Sequence, residues 1–380
     1  MRFPQDSARS GLPASGSSRY PALDSYRFLA ASGVVLYHYD ADFLLGFSAR
    51  LRTVGNLSCM VDFFFVLSGF VIMQGYRDRL GSPGAYGSFL RARLARIYPL
   101  HLVILAAYVL LAVAAHLLNV RPNHPEILAP SGLPANLLLV QAWGFLDHPS
   151  FNVPAWSISA EWFVYLLAPL VFMIVRHAGF LSSMVLASVL VAVMIAVRHA
   201  LGAQDWLDST YHFGMLRALP SFLAGAAIAE AMRRGHLRGR PSWWMAHALA
   251  VGALAVLGLD VPRELVLPVF AALIICTALA DAGGAPTMMK HPILLALGEA
   301  SYALYMLHVL VSIPLLAVMR SLHLIDTPWR FAFAAAAYAI SIALSLLSYR
   351  YFERPVRNWL TGRPAPFGPA RQSHPALRGS

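Results

Sequence analysis

The chain has 380 residues, 58% apolar and only 12% charged, with a positive mean hydropathy. A soluble domain is nearer half apolar and a quarter charged, so a water-soluble globule is excluded and a polytopic membrane protein is indicated. Basic residues outnumber acidic ones, 29 to 18, and all but Lys290 are arginine.

The first twenty residues, "MRFPQDSARSGLPASGSSRY", are polar and rich in Ser, Gly and Pro. They lack the apolar core and cleavage site of a signal peptide and read as a disordered tail. The last twenty, 361–380, have the same character. Between them, 21–360 reads as one membrane domain without internal repeats. Scanning for runs of about 20 apolar residues gives ten candidate spans. They begin near Leu23, Asn56, Leu100, Trp156, Gly179, Phe213, Trp243, Glu264, Ile293 and Trp329. The expected fold is all-α, with about ten transmembrane helices. The segment Pro134–Phe145 reads as an extra short re-entrant piece.

The arginines sort by side. With the N-terminus placed in the cytoplasm, twenty basic residues fall on the cytoplasmic side and seven outside, and Arg27 and Arg217 lie within spans. That asymmetry predicts both termini on the cytoplasmic side. It accounts for the basic charge as topology, with no nucleic-acid partner implied. Cys59 and Cys276 are too few for a disulfide framework, and no metal-ligand spacing appears. No metal is expected.

The first span carries the question, because "RFLAASGVVLYHYD" places Arg27, His38 and Asp40 in a run greasy enough to cross a bilayer. A charge at the centre of a membrane helix costs at least ~2.5 kcal/mol and marks a functional candidate. Arg27 and His38 are eleven residues apart, which returns to nearly the same helix face and separates them by roughly 16 Å. Asp62 in span two, Glu161 in span four and His308 in span nine fall at depths similar to His38. Carboxylates beside imidazoles are what a general base requires. The plain alternative is that each polar group is satisfied separately by a neighbouring helix. Arg93 and Arg96 in "SFLRARLARIYPLH" point the same way on a helix. They suit either a phosphate clamp or an interfacial helix touching lipid phosphate.

Several ordered motifs resemble the acyltransferase-3 family of integral membrane O-acyltransferases, over roughly Tyr20 to Leu360. "LDSYRFLAASGVVLYHY" is similar to its opening Arg-x10-His span, "VDFFFVLSGFVI" to its most recognisable signature, and "RARLARIYP" to its Arg-x-x-Arg element. "AWSISAEWFVYLLAPL" resembles its Trp-Ser-x-x-x-Glu span, here Trp156, Ser157 and Glu161. "LGEASYALYMLHVLV" and "SYRYFERPVR" resemble its closing motifs. Some members add a C-terminal SGNH-type hydrolase-like domain; here the resemblance covers the membrane domain.

The resemblance implies transfer of an acyl group, usually acetyl from acetyl-CoA, to a hydroxyl of a surface carbohydrate or a lipid-linked oligosaccharide. It implies a central role for His38 and donor handling by Arg27, Arg93 and Arg96. Asp62 or Glu161 is then expected to orient the His38 ring, which acts either as a base or as the acyl carrier. Trp156, Ser157, Tyr302 and His308 are candidate acceptor-binding residues, although a tryptophan at that depth also serves as an interfacial anchor. Glu353 is expected to pair with arginines at the inner end of the last span. The rival reading is a transporter or flippase for a surface glycan or small anion, without acyl chemistry.

Overall fold

The computed structural model describes residues 20–119, 124–200, 206–284 and 286–362. Every regular element among them is helical. Ten helices carry the fold: α1 (Pro21–Asp42), α2 (Met60–Tyr76), α3 (Pro83–Leu117), α4 (Trp156–Leu166), α5 (Ala168–Ala200), α6 (Gly214–Arg233), α7 (Trp243–Gly258), α8 (Val266–Ala282), α9 (Ser301–Ser321) and α10 (Trp329–Ser348). Shorter helical turns join them, and Pro292–Glu299 leads directly into α9.

Among the described residues, seven segments are long and apolar enough to cross a membrane. The protein is an integral membrane protein. α1 has the length, 22 residues, but Asp24, Arg27, Asp40 and Asp42 dilute its hydropathy. α7 is apolar but only 16 residues long. α5 is two segments meeting at Gly179, whose φ of 76° and ψ of −179° no L-residue adopts readily. Its first segment continues α4, and its second is the separate span expected from Gly179. The span expected from Leu100 begins earlier. α3 starts at Pro83, with Ser82 accepting from the Ala85 N–H, and runs through Pro99, so the arginine-bearing segment is its first half. The re-entrant piece expected at Pro134–Phe145 is a short helix, Leu133–Leu137, followed by turns. The terminal tails lie outside the described residues, apart from Tyr20, which is buried against Phe70, and the last two residues before 363.

The alternation of helix directions is fixed by polar ties at each face. At the face where α1 begins, the Ala22 N–H donates to Asp281 Oδ2 at 3.0 Å, and Arg77 donates to Glu230 at 2.6 Å. At the face where α1 ends, Arg52 pairs with Asp260 at 2.6 Å and Arg263 with Asp208 at 2.8 Å. The centre is held by close backbone approach. A Cβ on Gly69 of α2 would lie 2.0 Å from the Phe222 carbonyl oxygen, and one on Gly225 of α6 would lie 1.9 Å from that of Val66. Small residues let membrane helices touch in this way, where lipid supplies no hydrophobic drive. A second apolar cluster packs α1 against α9 and α10 through Phe28, Val35 and Val311.

Candidate active site

The ionisable residues expected in one layer separate into three groups. The first is a histidine pair. α1 is unbroken from Pro21 to Asp42, so Arg27 and His38 do share one helix at the expected offset. His38 faces His308 of α9, with ring centroids 5.1 Å apart and planes inclined by 49°. His308 is fully buried, and neither of its ring nitrogens has a hydrogen-bond partner. Tyrosines surround the pair. Tyr37 packs edge-on against His38. Tyr39 donates to the His308 backbone carbonyl at 2.9 Å, and Tyr305 lies one turn before His308 with centroids 6.1 Å apart. The Tyr305 hydroxyl and the Ser157 Oγ both donate to the Pro154 carbonyl, at 3.0 and 3.1 Å. Ser157 thus shares an acceptor with Tyr305, the tyrosine next to His308.

The second group is a buried ion pair that corrects the role expected for Asp62. Both carboxylate oxygens of Asp62 are taken by Arg217 of α6, Oδ1 by Nε at 3.1 Å and Oδ2 by Nη2 at 2.6 Å. The two side chains are 0% and 1% exposed. Arg217 also donates to the Leu207 and Ser58 carbonyls, and its guanidinium lies 5.1 Å from the Trp156 ring centroid. Asp62 makes no hydrogen bond to His38. The physical reason is that a buried guanidinium in hydrocarbon must find a carboxylate, and Asp62 is the one within reach. Trp156 is likewise buried, with its face given to Arg217 and its edge to Phe65. Trp156 also borders a small pocket lined by Gln141, Asn152 and Tyr211.

The third group gathers at mid-depth on the Arg27 side. Glu161 accepts hydrogen bonds from Ser68 at 2.8 Å and from Tyr165, and neither histidine approaches it within hydrogen-bond distance. Arg27, Arg96, Glu161 and Glu353 lie within electrostatic reach of one another. Arg27 also bonds Asp24 at 3.1 Å. Arg93 donates to the Tyr76 hydroxyl at 3.2 Å and lies over the Tyr76 ring, while its enclosed Nε has no partner. Glu353, expected to pair with arginines, sits in a π-helical turn, Tyr349–Glu353, after α10. Such turns often mark functional positions. Tyr302 closes the group from α9 by donating to the Ile97 carbonyl at 2.5 Å. Arg27, Arg93 and Arg96 thus face three carboxylates, Asp24, Glu161 and Glu353, and one enclosed guanidinium donor, Arg93 Nε, is left without a partner.

The family model for the acyltransferase domain matches residues 20–350. The chain belongs to this acyltransferase family. It is 30% identical over 333 residues to acyltransferase MdmB of Streptomyces mycarofaciens, covering 77% of this chain and 79% of that protein. It is 31% identical over 162 residues to protein 2 in picA locus of Rhizobium radiobacter, covering 40% of this chain and 81% of that protein. No solved structure matches. The chain is thus a membrane acyltransferase, which makes the transporter reading unnecessary. In this acyltransferase, the residues that sequence reasoning left unassigned are Arg217 and Tyr39. Arg217 carried a usable signal, since an arginine within a span demands a counter-ion and Asp62 stood at matching depth. Tyr39 carried none, being indistinguishable in sequence from a packing aromatic.

Proposed function

We infer that this acyltransferase moves an acyl group, most simply acetyl, from cytoplasmic acyl-CoA to a hydroxyl of a cell-envelope carbohydrate. One observation carries the reading: a single uninterrupted helix links an arginine cluster at Arg27 to an imidazole pair at His38 and His308. Arg27, Arg93 and Arg96 hold the donor phosphates on the cytoplasmic side, and Glu161 and Glu353 limit the mutual repulsion of the guanidiniums. The pantetheine arm then spans the roughly 16 Å from Arg27 to His38.

At the histidine pair, His38 removes the proton of the acceptor hydroxyl as its oxygen attacks the thioester carbonyl. The new C–O bond forms, the C–S bond breaks, and the proton passes from the imidazolium to the departing thiolate. His308, rather than a carboxylate, is the polar group beside the working ring, and a second imidazole in a dry pocket shares the proton without adding a fixed charge. Asp62 fixes Arg217 and thereby the α2–α6 contact. Ser157 positions Tyr305, and through it the wall of the pair.

The test is acyl transfer from labelled acetyl-CoA by the purified protein in proteoliposomes. His38→Ala should abolish transfer with expression and membrane insertion intact; full activity would remove His38 from the reaction. Arg93→Ala and Arg96→Ala should raise KM for the donor more than for the acceptor. An unchanged donor KM in both would return these arginines to lipid contact.

A further inference from the structure

A groove of about 510 Å³ runs between α1, α7 and α10, away from the arginine cluster. Its walls include Leu36, Tyr39, Phe47, Leu254, Phe331 and Tyr338. We propose that it is a binding site for one phospholipid, with an acyl chain laid along Tyr39 and the phosphate held by Arg330.

The lining decides the chemistry of the occupant. Three hydroxyls border the groove, and the protein already satisfies each. Tyr39 bonds the His308 carbonyl and Ser341, and Tyr338 donates to Ser32 at 2.8 Å. Each hydroxyl thus already has a protein partner and the rest of the wall is apolar, so a polar guest would gain few hydrogen bonds for its desolvation. A hydrocarbon guest carries no such cost. The length agrees as well. Its α1 wall runs from Ser32 to Tyr39, about 10 Å at the helical rise, and Leu45 and Phe47 extend it beyond the helix, within one leaflet of a hydrocarbon core ~30 Å thick. The volume lies within the ~300–1,000 Å³ range of small-ligand sites.

Charge completes the fit at the open end. The Arg330 guanidinium lies 5.2 Å from the centroid of the Phe331 ring that walls the groove. Among the described residues Arg330 makes no ion pair, and its Nε has no hydrogen-bond partner. Arg50, three residues beyond Phe47, is exposed at the same face. Two cations at the membrane surface above an apolar slot are the complement of a phosphate on a hydrocarbon chain. The rim is rigid, because the Asp40 carboxylate accepts from the Phe47 and Ser48 N–H groups at 2.7 and 3.0 Å. The bound chain would rest on Tyr39, which holds the His308 backbone, so occupancy braces α1 beside the histidine pair.

Native mass spectrometry of the delipidated full chain, titrated with phosphatidylglycerol, tests this. The wild type should retain one lipid against detergent. Ala335→Trp places a bulky ring in the groove from an exposed position and should abolish retention with the melting temperature unchanged. Arg330→Gln should weaken retention roughly fivefold, the effect expected of one basic residue at a membrane surface. It should leave binding of diacylglycerol, which has the chains but no phosphate, unaltered. Retention by Ala335→Trp equal to wild type would overturn the groove assignment. Equal wild-type binding of diacylglycerol and phosphatidylglycerol would overturn the phosphate contact, and equally tight binding of inorganic phosphate alone would overturn the acyl-chain contact. A dimer that Ala335→Trp dissolves would make the groove an interface between copies instead.

Discussion

Replacing Asp62 by alanine leaves the Arg217 guanidinium buried at 1% exposure with no carboxylate to balance it. Removing one partner of a buried pair costs ~3–5 kcal/mol, because the remaining charge stays desolvated. At ~1.36 kcal/mol per tenfold, that shifts the folded-to-unfolded ratio by roughly two to four orders of magnitude. Asp62→Leu combined with Arg217→Met removes both charges and fills the space with apolar groups of similar size, a swap that is often neutral. The double variant still gives up the Arg217 bonds to the Leu207 and Ser58 carbonyls. It should therefore sit ~1–3 kcal/mol below wild type, clearly above the single variant. Thermal unfolding in detergent gives the stability order, and acyl transfer at a permissive temperature gives the function. A stable, correctly inserted Asp62→Ala protein with no activity would refute the reasoning and return Asp62 to the chemistry.

Three further outcomes follow from the same geometry. His308→Ala should lower kcat by ~10²–10⁴, the range of a lost proton-transfer group, with KM for the donor little changed; a loss confined to KM would make it an acceptor contact. Glu161→Gln should keep transfer within about tenfold of wild type and lower KM for acyl-CoA, since a charge opposing the donor phosphates is removed; abolished transfer in a well-folded protein would instead make Glu161 a catalytic residue. Gly225→Ala should fail to fold or melt far below wild type, since its Cβ would lie 1.9 Å from the Val66 oxygen. Gly75→Ala on the same α2 helix meets nothing within 4 Å and should be neutral or stabilising by ~0.5–1 kcal/mol. Equal melting of the two would show that α2 and α6 do not pack as described.

Helix starts were legible in the sequence because apolar runs of about twenty residues mark them. Leu23, Gly179, Phe213 and Trp329 each fall within a few residues of an observed helix start. Rotation about each helix was not legible. Asp62, Glu161, His38 and His308 share a broad stratum, yet which of them meet depends on the faces that α2, α4 and α9 turn inward. Those faces are set by contacts such as Gly69 on Phe222 and Gly225 on Val66. Hydropathy is blind to such contacts when a helix is apolar all round. The start of α3 was missed for a related reason. Its first turns carry Arg91, Arg93 and Arg96, and an apolar-run criterion cannot see helix that continues through a charged stretch.

Arg27, His38, Asp40 and Asp42 of α1 show how far one helix can be read as a division of labour. Arg27 belongs to the cationic cluster with Arg96 and Glu161. His38 meets His308. Asp40 accepts from the Phe47 and Ser48 backbone and ties down the loop after the helix. Asp42 accepts from Ser312 of α9 at 3.0 Å and fastens the same end to the helix that carries His308. Of the four, Asp42 fastens α1 to α9 and Asp40 steadies the loop beyond it, while the Ala22 N–H bond to Asp281 ties the opposite end. In the proposed reaction, a donor held near Arg27 and an imidazole acting at His38 must keep a fixed separation, and a helix tied at both termini provides it.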